Sequence, residues 1–163
     1  MLFRSVGRSL RPPPNAQTFD DTTFAPNLTM REKVSQMTKP QACQACHSVI
    51  NPLGFSLESF DAVGRFRSSE NERPINPVSD YLTDDGEKVR LAGPTDVASF
   101  ALRNDQAQDA FIQQLFHHVV KQPVVAYGPG VPDDLRRKFV GSGFNLRSLL
   151  VEIVTVAACT DRK

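Results

Sequence analysis

Cys43-Gln44-Ala45-Cys46-His47 is the cluster in this sequence whose residue types and spacing point to chemistry. Two thiols three positions apart lie one helical turn apart. At that separation they can add across the two vinyl groups of a porphyrin, and the imidazole directly after the second thiol falls beneath the iron. The spacing therefore predicts one covalent haem c, held by Cys43 and Cys46 and ligated on the proximal side by His47. Random placement of three cysteines and three histidines in a chain of this length would produce the pattern on the order of once in a thousand. Three other uses stay open. Cys43, Cys46 and His47 could hold zinc with one further ligand, although adjacent Cys46 and His47 suit a tetrahedral site poorly. A CxxC pair could be a redox dithiol, which calls for a βαβ setting that the sequence lacks. The motif could also be degenerate and empty.

A haem iron takes two axial ligands, and the chain has few groups to offer for the second: His117, His118, Met30 and Met37. His117 and His118 are neighbours on a helix and point about 100° apart, so only one can face the iron. Helical phase puts His118 on the flank of a Phe111–Leu115 stripe and His117 among Gln113, Gln114 and Lys121. The carbonyl of Pro52 could orient the His47 imidazole, or Pro52 could be a plain turn proline. Arg65 and Arg67 could pair with haem propionates through charge-assisted hydrogen bonds, the bland alternative being surface arginines. Glu58 and Asp61 read as solvated or capping groups. Cys159, among Val and Ala, reads as a small buried hydrophobe, with a reactive thiol as the alternative. No nucleophile with a base and no phosphate-cradling glycine loop accompanies these residues.

The elements that must position the motif follow from periodicity and breakers. Residues 1–28, with Pro12-Pro13-Pro14 and Pro26, read as a linker or arm of polyproline character. Thr29 with Glu32 forms a capping box for a short helix to about Met37, which Pro40 stops. Pro52-Leu53-Gly54 predicts a turn, and the FSLESF run that follows supports one or two helical turns. Asp84-Asp85-Gly86 between YLT and KVRL predicts a β-hairpin. Beyond it the pattern is helical. Asp105 would cap a helix to about Lys121 with Phe111, Ile112, Leu115, Phe116 and Val119 inward. A short helix would span Asp133 to Val140. A last helix from about Asn145 to Ala158 would bury Leu146, Leu149, Leu150, Ile153, Val154 and Ala157. Phe19, Phe24, Phe55, Phe60, Phe66, Phe100 and Phe111 supply bulk in a chain without Trp. The expected class is mainly α: a cytochrome-c-like haem domain with a small β-hairpin and a C-terminal helical part. Its divisions are an arm at 1–28, a haem-binding segment at 29–73, and a hairpin plus helical companion domain at 74–163 that packs on the haem segment.

Composition bounds the partners. The 163 residues are 40% apolar and 23% charged, with a formal net charge of +1 and no block of Lys or Arg. That balance gives no field to draw nucleic acid or anionic lipid. The apolar stretch from Leu149 to Cys159 is too short to span a bilayer. The N-terminus has Arg4, Arg8 and Arg11 but no apolar h-region, so it is not a secretory signal as written. An acid-free, Arg- and Ser-rich start also fits a transit peptide, a reading the haem motif argues against. Three cysteines make no disulfide framework.

Around the motif, CQACHSVINPLGFSLESFDAVGRFR resembles the cytochrome-like domain near the C-terminus of large secreted planctomycete proteins of unknown function. PINPVSDYLTDDGEKVRLAGPTDVASF, QLFHHVVKQPVVAYG and FNLRSLLVEIVTVAA are similar to the companion domain that follows it there. The likeness covers about residues 28–160. It implies a periplasmic or otherwise extracytoplasmic haem protein that is a C-terminal piece of a longer polypeptide. It also favours the first histidine of LFHHVVKQP, His117, as the sixth ligand. The leading functional expectation is an electron-transfer module that passes electrons to a redox partner protein or within a larger assembly. A haem enzyme or gas sensor with an open sixth position, and a structural or docking subunit, are the alternatives.

Overall fold

The computed structural model describes residues 20–159, so most of the expected arm at 1–28, and Phe19 with it, lies outside the described residues. Helix dominates. Helix α1 spans Met30–Met37, α2 Gln41–Phe55, α3 Pro94–Arg103, α4 Asp105–Val120, α5 Val131–Gly141 and α6 Leu146–Cys159. Strands β1 (Ser69–Glu70) and β2 (Arg73–Pro74) form one antiparallel ribbon; β3 (Ser79–Leu82) and β4 (Lys88–Leu91) form another. The mainly α class and the β3–β4 hairpin are what the sequence predicts; the β1–β2 ribbon is an addition. The chain divides into two compact units, the first ending at Phe100 and the second beginning at Ala101. The unit that holds the CxxCH motif therefore also takes in the β3–β4 hairpin.

In the first unit, α1 starts where the sequence says it should. The Thr29 side chain accepts from the Glu32 N–H, and the Glu32 carboxylate accepts from the Thr29 N–H, satisfying two donors that a helix end leaves free. Arg73 adds a two-pronged ion pair to the same carboxylate, with nitrogen–oxygen distances of 2.7 and 2.8 Å. Thr38 closes α1 and Pro40 precedes α2, its carbonyl accepting from the Cys43 N–H. Here one expectation fails. Pro52-Leu53-Gly54 is not a turn: α2 runs through Pro52 to Phe55. The proline removes one helical hydrogen bond, but Leu53 is fully buried and α2 packs against β3, so tertiary packing carries the helix past it. The FSLESF run is accordingly the frayed end of α2, a series of turns from Ser56 to Ser59 and not a new helix.

The hairpin matches its signal. Ser79 pairs with Leu91 and Tyr81 with Val89, and Gly86 supplies a φ of 85° in the turn, a value L-residues rarely adopt. Side chains alternate: Ser79 and Tyr81 are buried, Asp80 and Leu82 exposed. Tyr81 meets the Phe100 ring edge-on at 5.3 Å, and with Val49, Leu53 and Leu91 these residues make up the unit's buried apolar set. The smaller ribbon has no strong apolar signal in sequence. Its turn rests on Asn71 and Glu72, both at positive φ, and Asn71 donates to the Leu28 carbonyl at 2.9 Å.

The second unit packs α4, α5 and α6 around Ile112, Phe116, Val124, Tyr127, Leu135, Phe139, Leu149 and Ile153. Asn104, one residue before the expected cap, caps α4 by accepting from the Ala107 N–H. The predicted inward faces are narrower than expected. On α4, Ile112 and Phe116 are buried while Phe111 and Val119 are exposed; on α6, Leu149 and Ile153 are buried while Leu146, Leu150 and Val154 are exposed. A three-helix unit offers each helix only a thin contact stripe, so the flanks of each apolar face stay outside. Cys159, expected to be buried, is exposed at the end of α6.

Candidate functional site

The CxxCH residues sit in the first half of α2. Cys43 and Cys46 are free thiols, partly exposed, on one face one turn apart. His47 is also partly exposed. Its Nδ1 lies 2.9 Å from Asn51 Oδ1, and among the described residues no hydrogen bond engages Nε2. Asn51 in turn donates from Nδ2 to Thr38 Oγ1 at 2.9 Å, and Thr38, almost fully buried, donates to the Val34 carbonyl at 2.8 Å. Gln44, between the two cysteines, donates from its amide to the Thr38 carbonyl. The end of α1 and the start of α2 are thus fastened together at the motif.

This arrangement fits a c-type haem on the chain's own terms. Two accessible thiols occupy adjacent turns, and the imidazole is held by one nitrogen with the other nitrogen uncommitted. It fits zinc less well: the described residues gather no group of three or more His, Cys, Asp or Glu side chains that could hold a metal ion, and tetrahedral zinc wants four.

The Pro52 carbonyl and the His47 imidazole have separate partners. The Pro52 carbonyl accepts from Ser79 Oγ at 2.6 Å and from the Ser56 N–H at 3.2 Å, tying the helix to the hairpin, while the imidazole is held by Asn51. The signal was in the sequence: an asparagine four residues after a histidine stands on the same helix face, and only the assumption of a turn at Pro52 hid it. Thr38 and Gln44 carried no such signal, because their contacts depend on how α1 and α2 meet.

Arg65 and Arg67 already have partners. Arg65 Nε contacts Asp61 at 2.7 Å with the side chain 81% exposed, and Arg67 Nε donates to the Glu58 carbonyl at 2.9 Å. Asp61 is the capping group expected, accepting from the Val63 and Arg65 N–H groups, and those bonds hold its carboxyl below the usual range. Glu58 is not the solvated group expected. Its side chain is only 11% exposed, 3.8 Å from Arg31, and burial pushes its carboxyl up despite that guanidinium. Arg31 itself lies over the Phe55 ring at 4.5 Å and donates to the carbonyls of Asn76 and Val78, so Glu58, Arg31 and the chain leading into β3 form one half-buried polar joint.

The candidates for a sixth ligand are spread over both units. Met30 is exposed and Met37 partly buried in the first unit; His117 and His118 are both exposed in the last turn of α4 in the second. Burial within the unit does not separate the two histidines. No helix among the described residues is long and apolar enough to cross a membrane.

No curated protein and no solved structure matches the chain. Residues 3–70 match the model of the family described as PSCyt3, protein of unknown function (DUF1588). The matched stretch takes in the CxxCH motif and the FDAVGRFR segment and ends at β1. Over that stretch the chain is similar to a planctomycete-type, cytochrome-associated domain of unknown function.

Proposed function

We propose that this chain is a single-haem c-type cytochrome that works as an electron-transfer module. The observation that carries the reading is the pair of partly exposed thiols one turn apart on α2, followed by an imidazole whose Nδ1 is bonded and whose Nε2 is open. In attachment each thiol adds S–H across a vinyl C=C: a sulfur–carbon bond forms, the hydrogen goes to the neighbouring carbon, and no oxidant is needed. The haem, when bound, supplies a one-electron iron couple. With haem bound, His47 would ligate it through Nε2, and Asn51 would keep the ring from rotating. The family likeness favours His117 as the sixth ligand. Arg65, paired with Asp61 through Nε but mostly in solvent, and Arg67, bonded through Nε to the Glu58 carbonyl, are the arginines that would meet the propionates.

The similarity over residues 3–70 supports a cytochrome association. On this reading the hairpin and the helical unit correspond to the companion domain that follows the cytochrome-like domain in the planctomycete proteins. The protein is then extracytoplasmic, in the periplasm or beyond, and exchanges electrons with a redox partner protein or with neighbouring domains of a larger assembly. Visible spectra test the function. The account expects low-spin six-coordinate spectra in both oxidation states, unchanged by carbon monoxide, and one reversible one-electron wave. A high-spin ferrous form that binds carbon monoxide would overturn it in favour of an open-site enzyme or sensor.

A further inference from the structure

We infer that Asn51 and Thr38 are positioning residues that fix the His47 tautomer, keeping the proton on Nδ1 and the lone pair on Nε2. The purpose of that arrangement rests on the haem-ligand reading of His47; the arrangement itself rests on hydrogen bonds alone.

The direction of the chain of bonds follows from counting protons. Thr38 Oγ1 lies 2.8 Å from the Val34 carbonyl oxygen and 2.9 Å from the Asn51 amide. Two oxygens at 2.8 Å repel unless a proton lies between them, and the carbonyl has none, so the hydroxyl proton points at Val34. Oγ1 is then available to Asn51 only as an acceptor, and the amide must turn its NH2 towards Thr38. Its Oδ1 therefore faces His47, and Nδ1, 2.9 Å away, has to donate. An imidazole with its proton on Nδ1 presents a lone pair at Nε2, the form that binds a metal. The flipped amide would leave Oγ1 and the Val34 oxygen facing each other without a proton and would put the imidazole proton on Nε2, where no iron could be ligated.

Thr38 is 1% exposed, so water does not compete for the two bonds at its hydroxyl, and breaking either leaves a buried polar atom unpaired. Gln44 holds the Thr38 carbonyl from within the CxxCH turn, so the residue that sets the polarity is fastened to the helix it controls. Asn51 as a mere helix-surface contact would not need Thr38 at all. Positioning would.

The test has two arms on the full chain. In the haem-free, 15N-labelled protein, at a pH where imidazole is neutral, His47 should carry its proton on Nδ1. Asn51→Leu and Thr38→Val should each shift the ring towards the Nε2–H form, and Thr38→Ser, which keeps the hydroxyl, should restore the wild-type tautomer. An Nε2–H ring in the wild type, or a tautomer indifferent to both Asn51→Leu and Thr38→Val, overturns the inference. In the haem-loaded protein, Asn51→Asp should make the ligand more basic and lower the potential, while Asn51→Leu should raise it. Each shift should be roughly tenfold in the reduction equilibrium, about 59 mV for one electron. Shifts of the same sign in both variants would mean that Asn51 acts only through packing. If the chain takes up no haem, the proposed function fails while the first arm still decides the tautomer.

Discussion

Leu53→Ala probes the packing that carries α2 past its proline. Leu53 is fully buried, two turns beyond Cys46, on the helix that packs against β3, where Tyr81 is also buried. The change removes three carbons, worth about 2 kcal/mol at roughly 0.8 kcal/mol per buried methylene. The cavity adds to this, because the aromatic ring and the strand can relax only in part. The expected total is about 3–4 kcal/mol, inside the roughly 2–5 kcal/mol range of such truncations. Leu53→Met keeps the volume and should cost less than about 1.5 kcal/mol. Urea unfolding followed by circular dichroism measures both, and hydrogen exchange should place the lost protection in Gln41–Phe55 and the β3–β4 hairpin. A cost for Leu53→Ala below about 1 kcal/mol, or equal damage from both variants, would refute the view that core packing holds this helix through Pro52.

Thr29→Ala removes the capping box of α1 and should lower stability by about 1 kcal/mol, visible as a fall in Tm that Thr29→Ser does not share. Glu58 titrates above its ordinary value because it is buried, so the folded state holds its proton more tightly than the unfolded one. Its stabilising contribution is present below the ordinary carboxylate pKa and is lost as pH rises through the raised value. Glu58→Gln should therefore gain in Tm over wild type as pH goes from acid towards neutral, and parallel Tm curves would contradict this. Glu32 behaves oppositely: the Arg73 hydrogen bond holds it down at about 2. Its contribution is present above 4.5 and lost as pH falls towards about 2, an acid sensitivity that Glu32→Gln should remove. His117→Ala should turn the ferric spectrum from low to high spin and admit carbon monoxide, while His118→Ala should do neither; the reverse result would reassign the ligand.

Much of the fold is written in local signals. The Thr29–Glu32 capping box, the Asp84-Asp85-Gly86 turn and the 3.6-residue periods of α4 and α6 each act within a few residues, and each element forms where its signal stands. The misreadings come where distant parts decide. Pro52-Leu53-Gly54 has turn chemistry, but burial of Leu53 against the hairpin makes it helix. Cys159 has apolar neighbours in sequence, but α6 has only one stripe covered. Glu58 looks like a surface carboxylate until Arg31, forty-odd positions from the Asn76 and Val78 carbonyls it binds, closes over it. At the candidate site the proposed attachment residues are legible because addition to two vinyl groups and ligation by the next residue would impose a local pattern. Asn51 is legible from its i+4 position once the helix is known to continue; Thr38 is not, since only the meeting of two helices brings it there.

Covalent attachment is the claim on which the proposed function depends, and one experiment reaches it directly. The protein is produced in cells that mature c-type cytochromes, denatured and extracted with acid–acetone, and the chain is weighed. The account predicts that the wild-type chain keeps one haem through denaturation. Either single cysteine variant should retain it less well, and the double variant Cys43→Ala/Cys46→Ala should weigh as the bare polypeptide. Haem that extracts freely from the wild type, or a double variant that still holds it covalently, would contradict the account.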